Sequence, residues 1–193
     1  GKNPFEIMKY DVTAYSADIK ANFEEWDGKT VSLAGRIMSR RDMGKANFID
    51  IADGKGRIQC YIRINDVGED VFADYRKWDI GDLVGVTGSL FRTRSGELSV
   101  HATAITLLSK SLKPLPEKFH GLTDTEERFR RRYVDLIMNE EAKKIALTRP
   151  RIIRAIQEYF DGQGLIEVET PVLQPILGGA AARPFITHHN ALD

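Results

Sequence analysis

Four residue types in the first half of the chain have the spacing to read a base. Phe48 offers a ring, Gln59 an amide with both donors and an acceptor, Arg40 a cation, and Glu97 a carboxylate. Exposed bases stack on aromatic rings, while amides and carboxylates bond their Watson–Crick edges. Each stacked base contributes about 1–3 kcal/mol. Such a set needs one surface to carry it.

A run of strands supplies that surface. From Lys29 the hydrophobic period is two, with Val31, Leu33, Gly35 and Ile37 alternating with polar residues. A second strand is predicted over about 45–52, followed by a tight turn at Asp53-Gly54-Lys55-Gly56. In the third, Ile58, Cys60, Ile62 and Ile64 point one way and Arg57, Gln59, Tyr61 and Arg63 the other. Two more strands fall near 82–91 and 97–108, joined by a hairpin at Arg94-Ser95-Gly96. Counting by twos puts Phe48 and Asp50 outside, with Arg36, Met38 and Arg40, Gln59 and Tyr61, and Glu97, Ser99 and His101. By the same count Arg41 turns inward or into a loop.

Helical periods frame these strands. One helix is predicted over 13–27, with Gly28 as its stop, and another over 66–78, where Val67, Val71, Tyr75 and Trp78 recur three or four apart. Three strands, a helix, then two strands is the order of an OB-fold β-barrel, the runner-up being a small SH3-type barrel. OB-folds bind single-stranded DNA, oligosaccharides and proteins as well as RNA.

Composition bounds the rest. The chain has 193 residues, 42% of them hydrophobic, enough for one domain or for a small domain plus part of another. Its formal net charge is zero, so a nucleic acid must be met by a local patch. Residues 29–63 provide one: Lys29, Arg36, Arg40, Arg41, Lys45, Lys55, Arg57 and Arg63 stand against Asp42, Asp50 and Asp53. No apolar run approaches the ~20 residues of a membrane span. The start, GKNPFEIMKY, has no apolar signal core and no initiator Met, so Gly1 reads as an internal or trimmed start. The lone Cys60 cannot form an internal disulfide, which is compatible with the cytosol.

A linker is expected at 109–122, where the text KSLKPLPEKFHGL carries two prolines. Residues 123–193 then form a second region. A charged helix starts at Thr123, with Glu126 and Glu127 four residues before Arg130 and Arg131. An amphipathic helix follows over about 140–161. Pro150 should kink or restart it, since proline lacks the amide and clashes with the preceding turn. Glu167 to Leu173 reads as a strand stopped by Pro175. The run Arg130-Arg131-Arg132 reads as a solvated helix face, and adjacent His188 and His189 point apart and make no metal site.

Several stretches together resemble one family. RRDMGKANFIDI (40–51) followed by RIQCYI (57–62) is similar to the anticodon-binding OB domain of class IIb aminoacyl-tRNA synthetases, the lysyl, aspartyl and asparaginyl enzymes. SGELSVHA, PLPEKFHGL and RFRRRYVDL fit the same family. GLIEVETPVLQPILGGAAARPFITHHNALD, residues 164–193, resembles motif 1 and the segment after it in the lysyl branch. The resemblance covers essentially the whole chain.

It implies specific roles. Phe48 would stack on the central uridine of the anticodon, Gln59 and Arg40 or Arg41 would bond to it, and Glu97 would contact a neighbouring base. Pro171 would be the motif 1 proline at a homodimer interface. The backbone of Gly179 would meet the lysine ammonium, where the absent side chain permits close approach. Two positions depart from the pattern: Leu165 stands where an aromatic is common, and Pro150 lies inside the motif 1 helix. The full enzyme would be a cytoplasmic lysine–tRNA ligase using ATP, Mg²⁺, L-lysine and tRNA-Lys. No motif 2 Arg-x-Glu, Gly-rich motif 3 or Walker-type loop occurs in these residues. This chain alone is therefore expected to recognise tRNA without forming the adenylate or binding ATP and Mg²⁺, and it should show no lysine-dependent ATP–pyrophosphate exchange. The alternative is a stand-alone OB-fold module that binds single-stranded nucleic acid.

Overall fold

The alternating strands meet in a closed barrel. In the computed structural model, which describes residues 3–116, 122–174 and 183–191, two compact units divide at Thr123/Asp124. The first unit holds β1 (Thr30–Met43), β2 (Ala46–Ala52), β3 (Arg57–Arg63), β4 (Leu83–Arg92) and β5 (Leu98–Ser109). Their order around the barrel is β1-β2-β3-β5-β4, closed by antiparallel pairing of β1 with β4. β3 runs parallel to β5. This is the OB arrangement, and the helix before β4 separates it from the SH3-type alternative.

The barrel closes because the inward residues of its strands are mostly apolar, Asn47 of β2 being a polar exception. Val31, Leu33, Ile51, Ile62, Val84, Val86 and Val100 are all 0% exposed. Each such side chain contributes about 1.5–3 kcal/mol on burial. Cys60 sits among them, and burial pushes its thiol well above the usual range, so it behaves as a small hydrophobe.

Between β3 and β4 the expected helix is split into α3 (Ile64–Val67) and α4 (Glu69–Tyr75). Gly68 between them has φ +89°, a conformation that side-chain-bearing residues rarely adopt. α4 plugs the barrel with Phe72 and the fully buried Tyr75. The helix expected over 13–27 is likewise two short pieces, α1 (Ser16–Ala21) and α2 (Phe23–Trp26). Asn22 breaks them with φ −133° and ψ 51°.

α1 is fastened to the barrel by Asp53. Ser16 donates its N–H and hydroxyl to that carboxylate at 2.6 and 2.8 Å, and the amides of Lys55 and Gly56 donate at 2.8 Å. Burial alone would raise the Asp53 pKa, but these four bonds outweigh it and hold the carboxyl below its usual range. A depressed folded-state pKa contributes stability that is present above the unfolded value and lost as pH falls through the folded one. On acidification, α1 should therefore stay docked until the pH falls below about 4 and then detach. Trp26 fluorescence should report the step in the parent and lack it in Asp53→Asn; an unchanged acid profile in D53N would exclude the latch.

A second polar knot closes the far end of β5. Asp82 is 0% exposed, accepts from Lys110 Nζ at 2.8 Å and from the amides of Asp79 and Ser111 at 2.8 and 2.7 Å. A buried carboxylate needs such partners, since desolvation alone would neutralise it.

The second unit contains α5 (Thr125–Arg130), α6 (Arg132–Met138) and α7 (Glu140–Gly162). Glu126 pairs with Arg130 at 2.7 Å, both side chains well exposed. Arg132, by contrast, joins Arg128 on the buried carboxylate of Asp135. Burial works against the charged form of Asp135, and the two guanidinium groups outweigh it and lower its pKa. So Arg132 is tied to a buried carboxylate while its own side chain stays partly exposed.

Two expectations fail in this unit. Of the kink or restart expected at Pro150, the restart does not occur: α7 runs through that residue as one helix. Residues 167–173 form no strand. An extended segment becomes a strand by pairing, and no strand is present among the described residues of this unit.

Candidate nucleic-acid interface

Register across the barrel lays the polar and aromatic residues in two rows. Arg41 pairs with Phe48, Phe48 with Tyr61, and Tyr61 with His101. One step along, Ser39 pairs with Asp50, Asp50 with Gln59, Gln59 with Ser99, and Ser99 with Phe91.

A bulge decides which arginine joins them. The register of β1 on β2 shifts between Ile37 and Ser39, so Met38 is an extra residue. A bulge inverts the alternation beyond it. Counting by twos puts Arg40 outside and turns Arg41 inward or into a loop; past the bulge, Arg40 shares the register of Ile49 and Arg41 that of Phe48. Arg40 sits opposite buried Ile49 and lies over the Tyr75 ring, 4.7 Å from its centroid. It donates to the Trp78 carbonyl at 3.1 Å and to Asp42 at 2.7 Å. Arg41 instead stands over Phe48, 5.6 Å from the ring centroid.

Arg41, Phe48, Gln59 and Glu97 then line one cleft of about 560 Å³, together with Met43, Asp50, Thr93 and Ser95. Phe48 is half-buried and outside the core. It rests on Tyr61 at 4.7 Å between centroids, with the ring planes 32° apart. The aromatic strip continues to His101, 5.4 Å from Tyr61, and Phe91, 6.0 Å from it. His101 Nε2 bonds Asp66 at 2.7 Å.

The rim is the β4–β5 hairpin. The Thr93 N–H donates to the Glu97 carbonyl at 2.9 Å and the Glu97 N–H to Thr93 Oγ1 at 3.0 Å. Gly96, at φ +85°, makes the turn. Glu97 therefore stands at the mouth, just before β5, with Lys20 of α1 4.0 Å away. The hairpin signal was visible in the sequence, but its placement of Thr93 and Ser95 over the cleft depends on the barrel.

The basic excess of residues 29–63 is not one open patch. Arg36 donates to the Gly81 carbonyl at 2.6 Å, Lys55 pairs with Asp18 at 2.7 Å, and Arg63 lies 3.5 Å from Asp66. With Arg40 also committed, Arg41 is the cation that the cleft receives.

In the second unit, Pro171 is exposed in an irregular segment, its carbonyl accepting from Gln174 at 3.3 Å. Gly179 lies outside the described residues. Among those described, no three His, Cys, Asp or Glu residues gather as a metal site, and no helix is long and apolar enough to cross a membrane.

Comparison with known proteins agrees with both units. Residues 31–108 match the family of OB-fold nucleic acid binding domains, and residues 124–193 match the class II tRNA synthetases of the D, K and N type. The chain is 57% identical over 193 residues to the lysine–tRNA ligases of Clostridium novyi (strain NT) and Clostridium tetani (strain Massachusetts / E88). It is 54% identical over the same length to that of Clostridium botulinum (strain Langeland / NCTC 10281 / Type F). Each match covers all of this chain and 38% of the relative's length. Residues 31–108 are thus an OB-fold nucleic acid binding domain, and residues 124–193 a segment of the class II tRNA synthetase (D, K and N) family.

Proposed function

We propose that the cleft on the barrel reads the anticodon of tRNA-Lys and that the chain is part of a lysine–tRNA ligase. The observation that carries this is the convergence of Arg41, Phe48, Gln59 and Glu97 on one cleft. Phe48 stacks on the central uridine, Gln59 and Arg41 bond its edge, and Glu97 meets a neighbouring base. A cation over the Phe48 face favours the ring's orientation, and the Tyr61 ring beside it limits its freedom.

The whole ligase would activate L-lysine with ATP and Mg²⁺ and pass it to tRNA in the cytoplasm. Binding at the anticodon helps place the distant acceptor end, so these residues contribute specificity and orientation to the reaction. Gly179 is assigned to the lysine pocket. Pro171 and the exposed apolar side chains of α7, among them Ile145, Ile152, Ile156 and Tyr159, are assigned to a homodimer interface.

The test is binding of this chain to a stem-loop bearing UUU against the same loop bearing GUC, at fixed salt because phosphate contacts are salt-dependent. Preference for UUU is expected. Equal affinity would make the barrel a generic single-strand binder, and no binding would remove the nucleic-acid role.

A further inference from the structure

We infer that the ring cluster of Tyr61, Phe91 and His101 is a second stacking site, which takes the neighbour of the central uridine that Glu97 does not meet. This rests on the anticodon reading above and adds to it a nucleotide position at the α3 end of the barrel face.

One base needs one ring, and Phe48 supplies it. Three more rings adjoin it. Tyr61 lies 5.4 Å from His101 and 6.0 Å from Phe91, and His101 lies 5.9 Å from Phe91, between centroids. Their planes meet at 57–61°, so they form a triangle and not a flat stack. All three are half-buried, and Tyr61 and Phe91 belong neither to the core nor to the apolar side chains packed on it. Among the described residues, those lining the cleft do not include them. A contiguous group of surface rings, unlike a lone one, marks an interaction site. Phe48 touches Tyr61 at 4.7 Å, so the cluster is continuous with the cleft and begins where the first stacking ring ends.

Position separates the cluster from Glu97. Glu97 precedes β5, and His101 is the fourth residue of that strand. At about 3.4 Å per residue the two stand roughly 13 Å apart along the chain, too far for one base to meet both. Glu97 therefore serves the hairpin end and the cluster the end where Asp66 of α3 meets β5. There His101 Nε2 and the Asp66 carboxylate lie 2.7 Å apart, which holds the imidazole in place. Arg63 lies 3.5 Å from the same carboxylate oxygen and offsets its charge against an approaching phosphate. A ring held in this way stacks any base, because every base has a π-face. The cluster should therefore contribute affinity with little regard to base identity, whereas Gln59 reads an edge.

The experiment measures binding of the full 193-residue chain to a UUU stem-loop and to three copies of it, each lacking one anticodon base. Removing the base that sits on the cluster should weaken the parent by roughly fivefold or more. His101→Ala and Phe91→Ala should each weaken the intact loop and then lose little further when that base is removed, because residue and base act as one pair. Glu97→Ala should show the same coupling with the opposite neighbour. If the rings only brace the sheet across its strands, either alanine variant would weaken the intact loop and every abasic loop by the same factor, which would overturn the inference. Coupling of His101 to the central uridine, or to the base that couples to Glu97, would overturn it as well. If one alanine variant does not fold, the other carries the comparison. Failure of the parent to prefer UUU over GUC is a different result: it removes the anticodon reading, while the coupling measured on either loop still decides the ring cluster.

Discussion

Alanine in place of Phe48 is expected to weaken binding of a UUU stem-loop by ~1–3 kcal/mol, the contribution of one stacked base. At 25 °C that is a rise in Kd of roughly 5- to 150-fold. The barrel should be nearly untouched. Phe48 is half-buried on the outer face and is not among the core residues or the apolar side chains packed on them. What the substitution removes is its contact with Tyr61 and the guanidinium of Arg41. The melting temperature should therefore move by less than about 5 °C. Titration and melting on the same preparation separate the two readings of an outward aromatic. Lost affinity with an intact melt marks a stacking platform. An intact affinity with a large drop in melting temperature would make Phe48 a packing residue.

Much of this surface was readable because burial imposes a period. Inward Ile49, Ile51, Ile58, Cys60 and Ile62 are each at most 1% exposed, so the alternating polar residues had to face outward together. That placed Phe48, Gln59 and Asp50 before any coordinates. The arginine was not readable. The bulge at Met38 adds one residue without altering composition, and it exchanges Arg40 and Arg41 between faces. A second shift, between Thr87 and Gly88, falls in the pairing of β4 with β5, in the same strand as Phe91. Helix breaks at Asn22 and Gly68 hide in the same way, since the apolar period continues across each. The segment 167–173 errs in the other direction: its residues suit a strand, but strand formation belongs to a pair and not to a sequence.

Gly88→Ala is expected to be the most damaging small substitution in the barrel. Gly88 pairs with Val31 on one side and with Ala102 on the other, so β4 has a neighbour on both edges there. A methyl group on Gly88 would lie 2.0 Å from the His101 carbonyl oxygen, 2.7 Å from its carbon and 2.9 Å from the Ala102 Cα. All three are backbone atoms, so no rotamer change can make room, and β4 and β5 must separate. Overpacking of this kind costs about 1–3 kcal/mol and occasionally more; with backbone on every side the upper end is expected. A domain of this size should lose on the order of 10 °C or more in melting temperature. Gly54→Ala is the control, because nothing lies within 4 Å of its added carbon, and it should melt with the parent. The damage should also reach the proposed RNA site. His101 is 5.4 Å from Tyr61, which supports Phe48. Moving β5 therefore tilts the platform from below, and G88A should bind the UUU loop more weakly even at temperatures where it is folded. A G88A chain that melts and binds like the parent would mean that the β4–β5 seam is looser than its register implies. Phe48→Ala should lose binding and keep stability, whereas Gly88→Ala should lose both. Affinity at this surface then depends first on a ring that the core does not need, and second on a backbone seam that touches no nucleotide.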